Sequence, residues 1–108
     1  MVMKINDFNN KKFDIFGSKW TIKIVDSILT DEPDKAIFGI TDISRRTIQV
    51  AWNVNDIRQD ENEMFTTLLH ELVHVFLMEG QYNEANLDEP MIEWVARCIK
   101  SLLKQKIL

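Results

Sequence analysis

The two halves of this chain follow different hydrophobic periods, and that change limits the folds it can adopt. Up to about residue 55, apolar and polar residues alternate in short runs, as they do in half-buried β-strands. From about residue 60, apolar residues recur every three or four positions, as in amphipathic helices. Strands followed by helices predict an α+β domain, in which helices pack on one face of a small, mostly antiparallel sheet of three or four strands.

Turn residues divide the first half into two predicted hairpins. Gly17 marks the first turn, and the charged residues 42–46 mark the second. The segment 31–35 predicts a polar loop between the two hairpins, and 53–60 predicts another polar loop after them. The predicted strands are 13–15, 20–24, 37–40 and 47–52.

The second half predicts two helices, at about 61–78 and 90–104. Asp60 suits the N-cap of the first helix, and Gly80 suits its C-terminus. The apolar stripes expected to face the core are Phe65, Leu69, Leu72 and Phe76 in the first helix, and Ile92, Val95, Ile99 and Leu102 in the second. Trp94 and the lone Cys98 are also expected in the core.

Length and charge restrict the class of protein. The chain has 108 residues, which predicts one domain over 1–108, strand-rich in 1–55 and helical in 60–108. A net charge of −4 and a pI near 5.1 argue against nucleic acid as a partner. One cysteine allows no intrachain disulfide, and no apolar leader or membrane span is visible. We therefore expect a cytoplasmic protein, whether in a free-living or a phage-infected cell, without a membrane partner.

The sequence His70-Glu71-Leu72-Val73-His74 lies inside the strongest helical pattern of the chain. Residues four apart project to the same side of a helix, so both imidazoles can bind one metal ion. Glu71 lies beside them, where its carboxylate can act as general base toward a water activated by zinc. The helical wheel separates these histidines from the apolar stripe, so neither is expected in the core. The pattern predicts a Zn²⁺ site with His70 and His74 as ligands.

A catalytic zinc ion usually has three protein ligands, and the chain has no third histidine. A carboxylate is therefore expected, and Glu89 and Glu93 are the best candidates because they lie four residues apart along one edge of the second helix. One could bind the metal while the other orients a ligating imidazole. Asp88 is the third candidate, although Asp88 and Glu89 could also serve only as cap residues before Pro90.

The combination His70-Glu71-xx-His74 and Asp88-Glu89-xxx-Glu93 resembles the gluzincin metallopeptidases. It is similar to the small minigluzincins and to the ImmA/IrrE-like metallopeptidases of phages and prophages. The resemblance implies that Glu89 is the third zinc ligand and that Glu93 is an outer carboxylate. It also implies that a strand before the active-site helix, in 37–43 or 47–52, binds the backbone of the substrate.

The resemblance further implies a side chain that stabilises the oxyanion, and Tyr82, the only tyrosine, is the candidate. Tyr82 could equally be an exposed loop residue without a role in the site. The function expected is zinc-dependent hydrolysis of peptide bonds in a protein or peptide substrate. One alternative is a non-catalytic or regulatory metal-binding domain that keeps the same scaffold. Another is hydrolysis of an amide in cell wall, against which the missing leader counts.

Overall fold

The computed structural model describes residues 4–32 and 36–108. Within these two ranges the chain forms six strands, two α-helices and two short 3₁₀ helices. All strands precede both α-helices, which confirms the α+β class predicted from the sequence. Of the predicted loop 31–35, residues 33–35 lie outside the described residues.

The first four strands form one sheet in the order β1-β2-β4-β3. They are β1 (Lys12–Ile15), β2 (Ser18–Val25), β3 (Gly39–Asp42) and β4 (Thr47–Ala51). The antiparallel pairs β1–β2 and β3–β4 confirm both predicted hairpins. In the centre, however, β2 and β4 run parallel, so the sheet is mixed, and the expected mostly antiparallel sheet needs this correction. Turn residues specify pairing within a hairpin, whereas this contact joins two hairpins that are distant in sequence.

The predicted polar loop 53–60 is corrected to a second, two-stranded sheet. It consists of β5 (Asn53–Val54) and β6 (Ile57–Arg58), which pair antiparallel. Asn55 and Asp56 form the turn between them, with φ angles of 50° and 63°. Two consecutive residues with positive φ are typical of the tight turns that match the twist of a hairpin, and Asn and Asp tolerate this conformation well.

The two long helices are α1 (Glu61–Glu79) and α2 (Glu89–Lys104). As predicted, the Asp60 carboxylate caps α1 by accepting a hydrogen bond from the backbone N–H of Glu63 at 2.8 Å. Gly80 is the C-cap residue. Before α2, the Asp88 carboxylate accepts from the N–H of Met91 at 3.1 Å. Within the described ranges, neither helix has the combination of length and hydropathy that a bilayer crossing requires.

The main core lies between the sheet and α1. Alternate residues of a strand point to one face of a sheet, so β2 and β4 each present a row of side chains toward the helix. Ile22 is paired with Ile48 across the parallel ladder, and both are buried. The fully or almost fully buried members of this core are Ile5, Trp20, Ile22, Ile48, Val50, Met64, Leu68 and Val75.

A second, smaller core joins α1 to α2. Its buried members are Val73 of α1 and Ile92 and Ala96 of α2. Because α1 is covered by the sheet on one side and by α2 on another, its buried positions extend around most of the helix. The expected stripe on α1 is therefore wrong in part: Phe76 is 46% exposed, whereas His74, expected outside the core, is buried.

The outer side of α2 also differs from the sequence expectation. Trp94, expected in the core, is 66% exposed, and the Cys98 thiol is exposed as well. Leu102, the last member of the expected stripe, is also exposed, at 38%. The face of α2 that contacts α1 is centred on Ile92 and Ala96, and both residues lie on the opposite side of the helix from Trp94. Of the predicted stripe on α2, Ile92, Val95 and Ile99 do pack in the core that joins α2 to α1, so that part of the prediction is confirmed.

Candidate metal centre

Consecutive turns of α1 bring His70, Glu71 and His74 together. The centroids of the two imidazole rings are 5.1 Å apart. One ligand atom from each of the three residues lies within 4.8 Å of the other two. Both histidine side chains are mostly buried, with exposed fractions of 18% and 11%. The helical spacing of the motif thus produces a cluster of potential metal ligands, as the sequence predicts.

The first turn of α2 adds a carboxylate to this cluster. One carboxylate oxygen of Glu89 lies 2.8 Å from Nε2 of His70, and the other lies 3.2 Å from Nε2 of His74. A single carboxylate therefore faces the Nε2 atoms of both rings. Two imidazoles and one carboxylate are a donor set that suits Zn²⁺ and other divalent transition metals.

Glu93 and Asn86 hold the outer nitrogens of the same two rings. The Glu93 carboxylate lies 2.7 Å from Nδ1 of His70, and the side-chain carbonyl of Asn86 lies 2.7 Å from Nδ1 of His74. Both groups accept hydrogen bonds at these contacts, so each ring donates its proton from Nδ1. Nε2 of each ring then carries no proton, and its lone pair is available to coordinate a metal ion. This is the tautomer that a metal-binding histidine needs.

The number of protons on the two imidazole rings indicates that these residues fit a cation. All four ring nitrogens of His70 and His74 face acceptor oxygens, three of them on carboxylates. Two neutral imidazoles carry only two N–H protons, and the Nδ1 contacts use both. The lone pairs of the two Nε2 atoms then face the lone pairs of the Glu89 carboxylate, and such groups repel one another. A positive charge between them removes the repulsion, and either further protons or one shared metal ion can supply it. The residues therefore fit a divalent cation.

The general-base candidate, Glu71, is 8% exposed and lies between α1 and the sheet. The Thr41 hydroxyl of β3 donates a hydrogen bond to its carboxylate at 3.0 Å. Burial raises the pKa of the Glu71 carboxyl above its ordinary value, and the Thr41 hydrogen bond and the two imidazoles only partly oppose the rise. A raised pKa makes a carboxylate a stronger proton acceptor near neutral pH.

Gly39 allows β3 to lie unusually close to α1. A Cβ atom at this position would be 2.7 Å from Cγ2 of Thr67 and 3.1 Å from Cγ of Glu71. No side chain fits at that distance without displacing the helix or the strand. The glycine therefore brings the backbone of β3 next to the histidine cluster.

A cleft of about 590 Å³ lies between β3 and the two helices. β3 is the edge strand of the sheet, whereas β4 is bonded on both sides, by β2 and β3. Of the two segments expected to bind a substrate backbone, only 37–43 thus lies at an edge. The cleft is lined by residues 36–41, Glu63, Thr66, Thr67, His70, Glu71, His74, Met78, Asn86, Glu89 and Glu93.

The hydrogen-bond register shows which backbone groups of β3 face outward. The carbonyl of Phe38 accepts from the N–H of Ala51 at 3.0 Å, so this antiparallel pair is a hydrogen-bonded one. Hydrogen-bonded and non-hydrogen-bonded pairs alternate along such a ladder. The next residue, Gly39, is therefore in a non-hydrogen-bonded pair, and so is Thr41. Their N–H and C=O groups point away from β4, toward the open edge.

Other residues singled out in the sequence lie away from the cluster. Tyr82 is 65% exposed, its ring lies against Gly80, and among the described residues it is not part of the cleft lining. Asp88 is engaged as the cap of α2. Conversely, Thr41 and Asn86 were not singled out by the sequence. A histidine ligand needs a partner on its second nitrogen, and that chemical requirement was the one signal that could have indicated Asn86.

Comparison with protein-family models, with curated proteins and with solved structures finds no match for this chain. The fold and the site therefore have to be interpreted from their own geometry and chemistry.

Proposed function

We propose that this protein is a metal-dependent peptidase, with zinc as the expected metal. His70, His74 and Glu89 would hold the ion, and Glu71 would act as general base. The observation that supports the proposal most is the Glu89 carboxylate, which lies 2.8 and 3.2 Å from the Nε2 atoms of both imidazoles. The ligand set and its two-helix origin are those of the gluzincin class, which the sequence motif resembles.

When bound in such a site, zinc supplies a Lewis acid that polarises water and the substrate carbonyl. The residues of the chain then have separate roles. Glu71 accepts a proton from the attacking water and returns it to the departing amine, which balances the hydrolysis. Thr41 holds the Glu71 carboxylate in place at 3.0 Å. Glu93 and Asn86 fix the orientation of the two imidazoles through their Nδ1 atoms.

The edge position of β3 favours a peptide as the substrate over other amides. The outward N–H and C=O groups of Gly39 and Thr41 can pair with an extended chain, which would add a strand to the sheet. Gly39 leaves no room for a side chain between this edge and Glu71, because a Cβ atom there would lie 3.1 Å from Cγ of Glu71. A peptide bound there runs along the cleft that His70 and His74 line.

The second candidate is a metal-binding domain without hydrolytic activity. The position of Tyr82, with its ring against Gly80 and outside the cleft lining, favours this alternative. Stabilisation of the oxyanion usually contributes a large part of the rate of acyl-transfer enzymes, typically about 10²–10³-fold for one donor. Without such a donor the site would bind metal and peptide with little turnover.

The substitution Glu71→Gln separates the two candidates. We expect the purified wild type to bind one Zn²⁺ per chain and to cleave an unstructured protein such as casein. Glu71→Gln should keep the metal and lose cleavage by at least about 10²-fold, the usual contribution of a general base. Glu84→Gln, at an exposed loop position, is the matched control and should behave as wild type.

Metal binding without cleavage in the wild type would support the non-catalytic domain. Wild-type protein that binds no zinc, or a Glu71→Gln variant that cleaves as fast as wild type, would contradict the peptidase.

A further inference from the structure

The outer side of α2 carries an apolar stripe that the described fold does not cover. It consists of Trp94, which is 66% exposed, the exposed Cys98, and Leu102, which is 38% exposed. These residues are four apart, so they follow one another along the same side of the helix. We call Trp94, Cys98 and Leu102 the outer stripe. Exposed tryptophan side chains on a helix of high amphipathicity are typical of contact surfaces.

Charges are distributed unevenly along the same helix. The exposed acidic residue Asp88 precedes its first turn, and the exposed basic residues Lys104 and Lys106 lie at its C-terminal end. A second α2 packed antiparallel to the first would bring each acidic end against a basic end. A parallel arrangement would bring like charges together, which is unfavourable. The charge pattern therefore favours an antiparallel over a parallel pair, and a second copy of α2 supplies the complementary charges at both ends.

The spacing of the outer stripe fits a two-fold axis. Cys98 lies midway between Trp94 and Leu102 in sequence. In an antiparallel pair with the axis at Cys98, Trp94 of one copy contacts Leu102 of the other, and the two Cys98 residues face each other. Such a contact is self-complementary, as a closed dimer requires. We propose that this protein forms a homodimer through the outer stripes of two antiparallel α2 helices.

The proposed contact and the metal centre use different sides of α2. Glu89 and Glu93 point toward His70, whereas Trp94 and Cys98 point to solvent. The cleft thus stays open in the dimer, and dimerisation does not depend on the proposed peptidase activity. A single helix pair buries less than the roughly 1,200 Å² of a standard interface, so the dimer should be weak.

Sedimentation equilibrium of the full chain tests the proposal. We expect a monomer–dimer equilibrium with a dissociation constant on the order of 100 µM. Trp94→Glu should weaken association at least about tenfold, which moves the midpoint of the monomer–dimer equilibrium to about 1 mM or higher. Ile57→Glu is the matched control, because Ile57 is 67% exposed on the β5–β6 hairpin, and it should leave the equilibrium unchanged. Circular dichroism of both variants verifies that they remain folded.

Cross-linking tests the orientation, and the single cysteine of the chain makes it direct. A short bis-maleimide should link Cys98 to Cys98 of a second copy. In a Cys98→Ser background, Gln105→Cys should not be linked, because the two positions would lie about fourteen residues, or roughly 21 Å, apart in the antiparallel pair.

Three results would overturn the proposal. The first is a protein that stays monomeric at about 1 mM, well above the dissociation constant expected for a weak interface. The second is an equal loss of association in Trp94→Glu and Ile57→Glu, which would indicate contact through no particular face. The third is efficient linking at position 105, which would show parallel helices.

Discussion

A methyl group added at Gly39 tests how closely β3 and α1 approach each other. In Gly39→Ala the new Cβ would lie 2.7 Å from Cγ2 of Thr67, against about 3.5–4.0 Å for an ordinary carbon–carbon contact. The strand and the helix would have to separate locally by roughly 1 Å. Thr67 cannot simply rotate away, because it is β-branched and its hydroxyl donates to the Glu63 carbonyl at 3.1 Å.

Two opposing contributions determine the free energy of unfolding of Gly39→Ala. Overpacking of this kind typically costs about 1–3 kcal/mol. Replacing glycine by alanine also restricts the unfolded chain, which returns about 0.4–1 kcal/mol. We therefore expect a net destabilisation of about 1–2 kcal/mol. In urea denaturation followed by tryptophan fluorescence, the midpoint should fall by about 1 M at the slope usual for a chain of this size.

The substitution Thr67→Ser provides the decisive comparison. It removes Cγ2, the nearest atom to the new methyl group, and keeps the hydroxyl that bonds Glu63. The double variant should therefore recover part of the loss, with a coupling energy of about 0.5–1 kcal/mol. The recovery of stability should be incomplete, because the new Cβ atom at position 39 still lies 3.1 Å from Cγ of Glu71 and 3.1 Å from the Gln49 carbonyl oxygen. A Gly39→Ala protein as stable as wild type, or independent effects of the two substitutions, would refute the close approach.

Two further predictions concern the partners of single side chains. Asn86→Ala should bind zinc about 10–100-fold more weakly, because Nδ1 of His74 loses its acceptor; competition with a chromophoric chelator measures this affinity. At Glu79, hydrogen bonds from Ser18 and Trp20 lower the pKa of the carboxyl below its ordinary value of 4.5. Since the folded pKa is the lower one, the stabilisation is present above pH 4.5 and is lost as the pH falls further, so Glu79→Gln should flatten that part of the stability profile.

The substitutions Asn86→Ala and Glu79→Gln each have a matched control. Asn83→Ala changes an exposed asparagine of the same loop and should leave the zinc affinity unchanged. Glu84→Gln removes an exposed glutamate and should keep the acid dependence of wild type. Unaltered zinc binding in Asn86→Ala would show that its contact with His74 does not support the metal. A Glu79→Gln profile that overlays wild type below pH 4.5 would show that the hydrogen bonds to Glu79 add no acid-dependent stability.

Local signals predicted the elements that depend on neighbouring residues. Gly17 and the charged turn indicated both hairpins, and the Asp60 and Gly80 caps located α1 within a residue of its observed ends. The parallel pairing of β2 with β4 had no such signal, because it joins segments separated by more than twenty residues. Pairing across that distance is decided by packing, which the sequence pattern does not show directly.

In the candidate site too, contacts within one helix could be predicted from the sequence, whereas contacts between distant elements could not. His70, Glu71 and His74 are close because one helix carries all three, so their spacing was sufficient to predict the cluster. Thr41 reaches it from β3, where its hydroxyl bonds the carboxylate and the backbone carbonyl of Glu71, and Asn86 reaches it through one contact with His74. Contacts of this kind between distant elements leave no periodic trace in a sequence, and only the assembled fold identifies them.

The two cores of the protein meet at the candidate metal centre. His70 and His74 belong to the helix that is anchored on the sheet, whereas Glu89 belongs to α2, which docks through the small cluster around Ile92 and Ala96. An ion shared by these three side chains would cross-link α2 to the larger unit formed by α1 and the sheet. Removal of the ion by a chelator should therefore destabilise the docking of α2 first, and hydrogen exchange should rise in α2 well before it rises in β2 and β4.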